Sequence, residues 1–549
     1  MKRKTRILLC NEASFLKTGY ATYGREVMKR LFASDKYELA EFSSYGKMDD
    51  ERAVDIPWRY YPNLPDESNE QQIQEYASLA TNQFGEWRFE HVLLDFKPDI
   101  VFDIRDFWMI DFQERSPFRK FFNWAIMPTV DAEGQNEQWL GTYAGANKVF
   151  AYSDFGMNTL LSESGGLINC THAAPPSADA AYKPVHDKSA HKEELGIDGN
   201  CKIIGTVMRN QRRKLYPDLF ECFRKFLDES GREDVYLYCH TSYPDLGWDI
   251  PKLLKEHGIC SKTLFTYVCK ACGSWFPSFF HDATVRCKNC GEVSANLSNV
   301  QNGVETEDLA KIINLFDLYI QYANSEGFGL PQVEAAACGV FVMSVDYSAM
   351  SSVIRKLEGQ PLKLSSKYLE LETGCKRAVP DNAYTVKKML EFFNLPDEEI
   401  ARKGAVCRKN FIKHYQWDNT AKIWDEYFSS IPLTPEGDTW NSKPRIFEPA
   451  TQVPASLSNK EYARWLIKEV LGDDSRSNTY MEARLIRDLN YGVYIEGTGE
   501  AYINEDSTYH NRPNFKPFGV EEAYYAIRKV RDNINKWENI RARFMQAEG

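Results

Sequence analysis

Two glutamates flank a glycine-rich turn within residues 325–339, and seven residues separate Glu326 from Glu334. The turn follows the apolar residues 318–323 and precedes a run of small residues, which is typical of a strand, a turn and a helix. A helix N-terminus has free N–H groups and a positive dipole end, so it binds a diphosphate well. A carboxylate accepts hydrogen bonds from two neighbouring hydroxyls of a sugar. The pattern predicts a nucleotide-sugar site, against the plainer alternative of a connection with surface glutamates.

A basic stretch follows the predicted strand at 202–208 and contains Arg209, Arg212, Arg213 and Lys214. Cations at the carboxyl end of a parallel strand face the ligand crevice of an open sheet. Breaking a bond to a diphosphate builds negative charge on the leaving oxygens, which arginine binds through two hydrogen bonds and lysine as a point charge. The stretch predicts a phosphate clamp, with a solvated basic face as the ordinary alternative.

Because of the two glutamates and their spacing, the chain resembles the family-four glycosyltransferases, which have the GT-B fold. The resemblance implies that Glu326 contacts the donor sugar and that Glu334 contacts the ribose. It also implies that the backbone between them contacts sugar and phosphate. The residues implied in these backbone contacts are Gly327, Phe328, Gly329 and Leu330.

The same resemblance selects residues at two further places. The family carries an arginine and a lysine about one helical turn apart after the first strand of the second domain. Arg209 and Lys214 match that spacing best, with Arg212 and Arg213 as competitors. A glycine loop after the first strand of the chain, at Gly19 and Tyr20, is implied to lie near the donor phosphates; a tight turn is the alternative.

The acceptor chemistry departs from the family pattern. The family often has a histidine near the reacting centre, and the matching residues 102–107 contain none. Asp131, after the next predicted strand, is the candidate to orient an acceptor hydroxyl, with helix capping as its alternative role. Retention of the anomeric configuration is implied by the resemblance alone. No Asp-x-Asp pair is present, so an obligatory Mg²⁺ is not expected.

Two Cys-x-x-Cys-Gly motifs lie within the second domain, with fourteen residues between Cys272 of the first and Cys287 of the second. Their cysteines are Cys269, Cys272, Cys287 and Cys290. Four thiolates in two such pairs form a tetrahedral site, so the spacing predicts a structural Zn²⁺ ribbon. An iron–sulfur or redox site is the minor alternative. Aromatic and basic residues in the ribbon fit nucleic-acid contact as well as a strut or a protein-docking role.

The bulk properties describe an ordinary globular chain of 549 residues with a net charge of −11. No apolar run is long enough to span a membrane. The 13 cysteines are an odd number scattered through core segments, which favours a reducing cytoplasm over a disulfide scaffold. The acidic balance gives no global attraction to nucleic acid.

Strand and helix alternate twice along the chain, which predicts two doubly wound α/β domains that face a cleft, as in GT-B. The predicted strands are 6–10, 37–43, 99–104, 124–130, 148–153, 168–173, 202–208, 235–240, 264–268, 318–323 and 340–345. The predicted units are a Rossmann-like acceptor domain (1–174), a Rossmann-like donor domain (175–410) with the ribbon inserted at 265–298, a crossover helix (411–430) and a mostly helical extension (431–549) whose residues 519–544 are basic.

The predicted function is transfer of a hexose or pentose from a nucleotide sugar to an acceptor hydroxyl. A hydroxymethylated base in DNA is one acceptor hypothesis, and a glycan or a small molecule is the other. A non-catalytic scaffold that binds nucleic acid or protein is the alternative from another class. A sugar-nucleotide epimerase or a phosphorylase is less favoured, because no lysine motif indicates pyridoxal phosphate and the glutamate spacing favours a transferase.

Overall fold

The computed structural model describes residues 3–116, 118–299, 301–433 and 439–440, together with the backbone of two short paired strands, Ala501–Tyr502 and Phe515–Lys516. The rest of the predicted C-terminal extension, including its basic stretch 519–544, lies outside the described residues.

The first sheet has seven parallel strands in the order β3-β2-β1-β4-β5-β6-β7. The strands are β1 (Thr5–Glu12), β2 (Tyr37–Ser44), β3 (Arg59–Pro62), β4 (Ile100–Asp103), β5 (Asn123–Ile126), β6 (Lys148–Ala151) and β7 (Cys170–Ala173). All six predicted strands are present, with ends moved by a few residues. The edge strand β3 was missed because it contains no aliphatic run and ends at a proline.

Helices cover both faces of this sheet. They are α1 (Gly19–Ala33), α2 (Glu70–Ser78), α3 (Phe89–Phe96), α4 (Phe107–Arg115), α5 (Glu137–Ala144) and α6 (Asp154–Glu163). Side chains of β1 alternate between two buried clusters: Ile7 and Leu9 pack in one, Leu8 and Cys10 in the other. A strand buried on both faces reads as a continuous apolar run, which is why β1 was predicted as a strand.

The second sheet has nine strands in the order β12-β13-β10-β9-β8-β14-β15-β16, and β11 pairs with β10 outside this path. The strands are β8 (Lys202–Val207), β9 (Val235–His240), β10 (Thr263–Cys269), β11 (Trp275–Phe279), β12 (Val285–Arg286), β13 (Val293–Leu297), β14 (Leu318–Gln321), β15 (Phe341–Val345) and β16 (Gln360–Leu362). Pairs among β8, β9, β10, β14, β15 and β16 are parallel, whereas β11, β12 and β13 pair antiparallel.

The antiparallel strands β11, β12 and β13 form an insertion at the carboxyl end of β10. The first half of β10 pairs with β9, and its second half pairs with β13 along the same edge. The opposite edge of β10 pairs with β11. One long strand therefore belongs to the parallel sheet and then continues into the inserted ribbon.

Helices and one hairpin complete the second domain. The helices are α7 (Lys188–Glu194), α8 (Tyr216–Ser230), α9 (Ile250–Glu256), α10 (Thr306–Ile313), α11 (Leu330–Ala337), α12 (Ser348–Leu357), α13 (Asn382–Phe393) and α14 (Asp397–His414). The antiparallel strands β17 (Leu364–Leu369) and β18 (Lys376–Pro380) form a separate hairpin between β16 and α13.

The last described helix, α15 (Trp417–Ser430), returns to the first domain. The indole N–H of Trp424 donates to the Tyr23 hydroxyl at 2.8 Å, and the Tyr427 hydroxyl donates to Asn123 at 2.8 Å. The predicted crossover stretch 411–430 thus contains the end of α14 and all of α15, with an extended Gln416 between them. Within the described part of the chain, no helix has the length and apolar character needed to cross a bilayer.

Candidate functional site

The turn between β14 and α11, residues 322–329, is called the donor turn below, after the role that the sequence analysis predicts for it. It ends at Gly329, whose φ of +82° is left-handed and favours glycine. Helix α11 then begins at Leu330, with a proline in its first turn. The Phe328 ring is buried and packs edge-on against Tyr415, with ring centroids 5.8 Å apart. The side chain of Phe328 therefore anchors the turn in the core.

Glu326 is the centre of a buried polar network in the donor turn. Only 5% of the residue is exposed. Its carboxylate accepts hydrogen bonds from Arg213 at 2.6 Å, from the Gln321 amide at 2.7 Å and from Lys214. Its own N–H donates to the Ser348 hydroxyl at 2.9 Å. A buried carboxylate with two cations is stable only because each charge has a partner.

Backbone pairing explains which cations reach Glu326. Lys214 forms an isolated bridge with Ala323, and the Asn324 N–H donates to the Arg213 carbonyl at 2.9 Å. The segment after β8 therefore runs beside the donor turn, because β8 and β14 are neighbours in the sheet. The competitor Arg213 lies next to Lys214 at the carboxylate, whereas Arg212 is exposed.

Arg209 lies at the outer end of this segment and is 48% exposed. Its guanidinium donates to Asp245, after β9, at 2.9 and 3.1 Å. The hydrogen bonds from Arg209 lower the pKa of Asp245 to about 2. The structure thus brings together Lys214, Arg213 and Glu326, and it leaves Arg209 bonded to another carboxylate.

Glu334 lies on α11 and is buried. Burial raises the pKa of its carboxyl group to about 7, while a hydrogen bond with Tyr182 opposes part of this rise. Tyr182 belongs to the segment that joins the two domains, and the sequence analysis did not select it. No sequence signal marks it, since a buried tyrosine hydroxyl seeks any nearby acceptor.

The first domain faces the donor turn with side chains from three loops. A Cβ atom on Gly327 would lie 2.3 Å from Cγ2 of Thr129, so glycine is required for this approach. The Thr129 hydroxyl is 2.8 Å from the hydroxyl of Tyr20, in the first turn of α1. Gly19 is the first residue of that helix, which Thr18 caps. The carboxyl ends of both sheets therefore meet at one cleft.

Asp106 is a cleft residue that the sequence analysis did not select. It precedes α4 at the capping position, yet its side chain makes no capping hydrogen bond. Its carboxyl group instead bonds to Thr129 and Tyr20. Burial raises the pKa of this group, the two hydrogen bonds lower it, and the charge of Asp131 raises it further. The sequence signal that could have identified Asp106 was its position three residues after a buried parallel strand.

Asp131 lies in the loop after β5 and bonds to the second domain. Its carboxylate accepts hydrogen bonds from Arg377 of β18 at 2.7 Å and from the Ser325 hydroxyl at 3.2 Å. It does not cap a helix, because Asn136 caps α5. The capping alternative is therefore excluded, and a role for Asp131 toward an acceptor stays a prediction.

The four predicted cysteines form one cluster in the inserted ribbon. Their Sγ atoms all lie within 4.8 Å of one another. The Cys269–Cys290 and Cys272–Cys287 sulfur pairs are each 3.7 Å apart. A tetrahedron with Zn–S bonds of about 2.3 Å has edges of about 3.8 Å. The thiols thus lie close enough to bind one metal ion, and two of their separations fit zinc.

Local structure supports this cluster. Gly273 and Gly291, which end the two motifs, have φ of +72° and +78°, as two tight turns of the same kind require. The Ser274 hydroxyl lies 3.0 Å from Cys272 Sγ and 3.3 Å from Cys287 Sγ. Hydrogen bonding to Ser274 lowers the pKa of Cys272 to about 6. A thiolate is the form that binds metals.

Comparison with known proteins agrees with this geometry. Residues 295–363 match the family model described as "Glycosyl transferases group 1", and this segment contains the donor turn and α11. No curated protein sequence matches the chain.

Solved structures share the fold at low sequence identity. Sucrose-phosphate synthase from Thermosynechococcus elongatus aligns with a TM-score of 0.57 and 13% identity over 78% of this chain and 100% of its own. Anabaena HepE in complex with UDP and glucose aligns with a TM-score of 0.54 and 12% identity, over 78% of this chain and 100% of its own. A glycosyltransferase from Rickettsia africae aligns with a TM-score of 0.52 and 14% identity, over 78% of this chain and 98% of its own.

These likenesses confirm the predicted fold class of two doubly wound domains: the chain has the GT-B fold. Together with the group 1 match over the donor turn, the fold indicates a glycosyltransferase.

Proposed function

We propose that this chain transfers a sugar from a nucleotide-sugar donor to an acceptor hydroxyl, with residues 175–410 binding the donor and residues 1–174 the acceptor. The observation that carries the proposal is the ionic network at the donor turn, in which buried Lys214 and half-exposed Arg213 both bond to buried Glu326. HepE, which shares the fold, is solved in complex with UDP-glucose, and this supports a donor of that class.

Donor binding has a clear electrostatic consequence at this network. Lys214 and Arg213 share the single carboxylate of Glu326 in the free protein, so the three side chains keep a net positive charge. A diphosphate carries more negative charge than one carboxylate, so it takes over these cations near the start of α11. Glu326 then loses its partners and accepts hydrogen bonds from sugar hydroxyls instead. The cations stabilise the charge that develops on the leaving diphosphate.

Glu334 is the residue we assign to the ribose, following the family resemblance. Its position on α11, one turn after the helix begins, supports this assignment. Fixed cations and a helix N-terminus supply the charge stabilisation that Mg²⁺ would otherwise provide. Retention of configuration follows from the resemblance and is part of the proposal.

The acceptor approaches from the first domain, where Asp106 and Asp131 face the donor turn. Asp106 bonds only neutral hydroxyls among the contacts described, so its carboxylate is the better placed of the two to accept a hydrogen bond from an acceptor. Asp131 is already bonded to Arg377.

Binding and turnover test this function together. Calorimetry with a panel of nucleotide sugars and nucleoside diphosphates should find a ligand, and Lys214→Ala should weaken it about tenfold or more. Lys387→Ala, an exposed lysine of α13, is the matched control and should bind as the wild type does. A chain that binds no nucleotide would be a scaffold instead.

A hydroxymethylated base in DNA is our candidate acceptor. The ribbon extends from the carboxyl end of β10, on the cleft edge of the sheet, and exposes Phe279, Lys270, Arg286 and Lys288. Exposed rings and cations are the side chains that stack on bases and bind phosphates. Lys17 beside the glycine loop pairs with Glu305, just after the ribbon, at 2.6 Å. This exposed ion pair lies between the first domain and the segment that follows the ribbon.

Mass spectrometry of acceptors distinguishes the acceptor hypotheses. DNA with hydroxymethylated cytosine should gain one hexose or pentose when incubated with the protein and a nucleotide sugar, and unmodified DNA should not. A gel shift that weakens with salt should accompany transfer. Glycosylation of a glycan or of a small alcohol, with DNA unchanged, would instead establish the other acceptor class.

The four-cysteine cluster is proposed to bind one structural Zn²⁺. All four positions are thiols, so no open ligand position is left for catalysis. The ion would hold the ends of β10, β11 and β13 together. It would thereby stabilise a ribbon that has little other hydrophobic core.

A further inference from the structure

Strand β18 joins the two domains through its outer edge. The Lys376 N–H donates to the Glu133 carbonyl, in the loop after β5, at 2.9 Å. Two residues along, the Ala378 N–H donates to the Asn324 carbonyl, in the donor turn, at 3.0 Å. The other edge of β18 pairs with β17. The backbone of β18 thus spans the gap between the acceptor side and the donor side.

Arg377 lies between these two backbone contacts, and its side chain also contacts both the first domain and the donor turn. One terminal nitrogen, Nη1, donates to Asp131 of the first domain at 2.7 Å and to the Ser325 hydroxyl of the donor turn at 2.7 Å. Only 7% of Arg377 is exposed. A planar guanidinium makes two such bonds in fixed directions, so it holds Asp131 and Ser325 at a defined separation.

The hairpin itself orients this guanidinium. Glu370, at the tip side of β17, accepts hydrogen bonds from Nη2 of Arg377 at 2.6 Å and from Nε at 3.0 Å. Thr373 holds the same carboxylate at 2.6 Å. Four hydrogen bonds therefore occupy Arg377, which leaves it at most one of its five N–H groups for a ligand.

We propose that Arg377 is a positioning residue of the transfer reaction: it fixes the loop 131–136 against the donor turn, so that the β17–β18 hairpin sets the distance between acceptor and donor. The inference rests on the proposed function, because the loop and the turn are assigned to acceptor and donor there. Arg377 acts through Asp131 and Ser325 and does not itself contact the donor phosphates.

Deuterium exchange and calorimetry test this inference without a known acceptor. In Arg377→Gln, the amides of residues 131–136 should exchange about tenfold faster than in the wild type. Asp131→Asn should increase the exchange of these amides to the same extent, because it removes the other partner of the Arg377–Asp131 ion pair. The double variant should exchange no faster than either single variant, because the two residues act as one unit.

The affinity of Arg377→Gln for UDP should show whether Arg377 positions the loop or binds the donor directly. UDP should bind Arg377→Gln within about threefold of the wild type. Turnover of UDP-glucose with hydroxymethylated DNA as the acceptor of the glucosyl group, followed as UDP release, should show a lower kcat at an unchanged KM for UDP-glucose. Arg355→Gln removes an exposed arginine of the same domain, paired to Asp346, and is the matched control for all three measurements.

Two results would overturn the inference. Unchanged exchange of residues 131–136 in Arg377→Gln and in Asp131→Asn would show that the pair does not hold the loop. A loss of UDP affinity as large as the loss of turnover would make Arg377 a donor ligand. If the wild type bound no UDP, the proposed donor would be wrong, while the exchange data would still decide whether Arg377 fixes the loop.

Discussion

Arg213 and Glu326 form an ion pair of 2.6 Å although they lie 113 positions apart in the chain. They meet because β8 and β14 are neighbours in the second sheet, and each residue lies beyond the carboxyl end of its strand. Lys214 contacts the same carboxylate. In the free protein the two cations of the site are therefore bonded to its carboxylate. A donor diphosphate has to replace Glu326 as the partner of Arg213 and Lys214.

Arg209 is expected to change partners when a donor binds. The guanidinium of Arg209 is about half exposed, so water screens its pair with Asp245, whereas a charge-assisted bond to a phosphate is worth about 1.5–3 kcal/mol. Arg209→Gln should therefore weaken UDP about tenfold in calorimetry, and Asp245→Asn should strengthen it severalfold by freeing Arg209.

The control for this pair is Arg232→Gln, because Arg232 pairs with Asp234 far from the donor turn in the same domain. An Asp245→Asn variant that binds UDP as the wild type does, together with an unaffected Arg209→Gln, would place Arg209 outside the clamp.

Glu334 should make stability depend on pH. Burial raises the pKa of this carboxyl group from 4.5 to about 7, so between these pH values the folded protein binds a proton that the unfolded chain lacks. The free energy of unfolding should therefore fall as pH rises through this window, by up to about 3 kcal/mol, and level off above it.

Urea unfolding of the wild type and of Glu334→Gln, at several pH values from about 5 to 8, measures this contribution. The neutral amide removes the titration, so the variant should lose that part of the slope. Glu256→Gln, on the exposed side of α9, should keep the wild-type slope. Parallel pH profiles for the wild type and Glu334→Gln would show that Glu334 is ionised throughout.

The cysteine cluster should hold one zinc per chain. Cys272→Ser and Cys287→Ser should each lose the metal, as measured by elemental analysis, and should unfold at lower temperature than the wild type, because the ribbon depends on the metal for its core. Cys260 is an exposed cysteine outside the cluster, and Cys260→Ser should keep the full metal content. Iron with visible absorbance in the purified protein would indicate an iron–sulfur site.

Asp106→Asn should slow transfer and leave donor binding intact. An amide keeps the size of the side chain but removes the negative charge that would attract an acceptor hydroxyl, so kcat for UDP-glucose turnover should fall about tenfold to a hundredfold. UDP affinity should stay within about threefold of the wild type, because Lys214, Arg213 and Glu326, which are proposed to bind the donor, lie in the other domain. Asp66→Asn, an exposed aspartate of the first domain, is the control. A normal kcat in Asp106→Asn would assign the acceptor contact elsewhere.

Patterns that depend on near neighbours in the chain could be predicted well. The strands at 235–240 and 318–323, the glycine turn and the Cys-x-x-Cys-Gly motifs all express local geometry: apolar runs that must be buried, a left-handed φ and paired thiols. The hairpin of β17 and β18 was missed, because β17 is mostly exposed and lacks an apolar run. Its importance arises from contacts that β18 makes with both domains.

The sequence alone determined the fold class, the donor turn and the thiol cluster, because hydrophobic periodicity, turn chemistry and motif spacing are properties of short segments. Only the tertiary structure decided which charges meet. It brought Arg213 as well as Lys214 to Glu326, left Arg209 with Asp245, and bonded Asp131 to Arg377. Strand order and side-chain direction set these partners, and both result from packing segments that lie far apart in the chain.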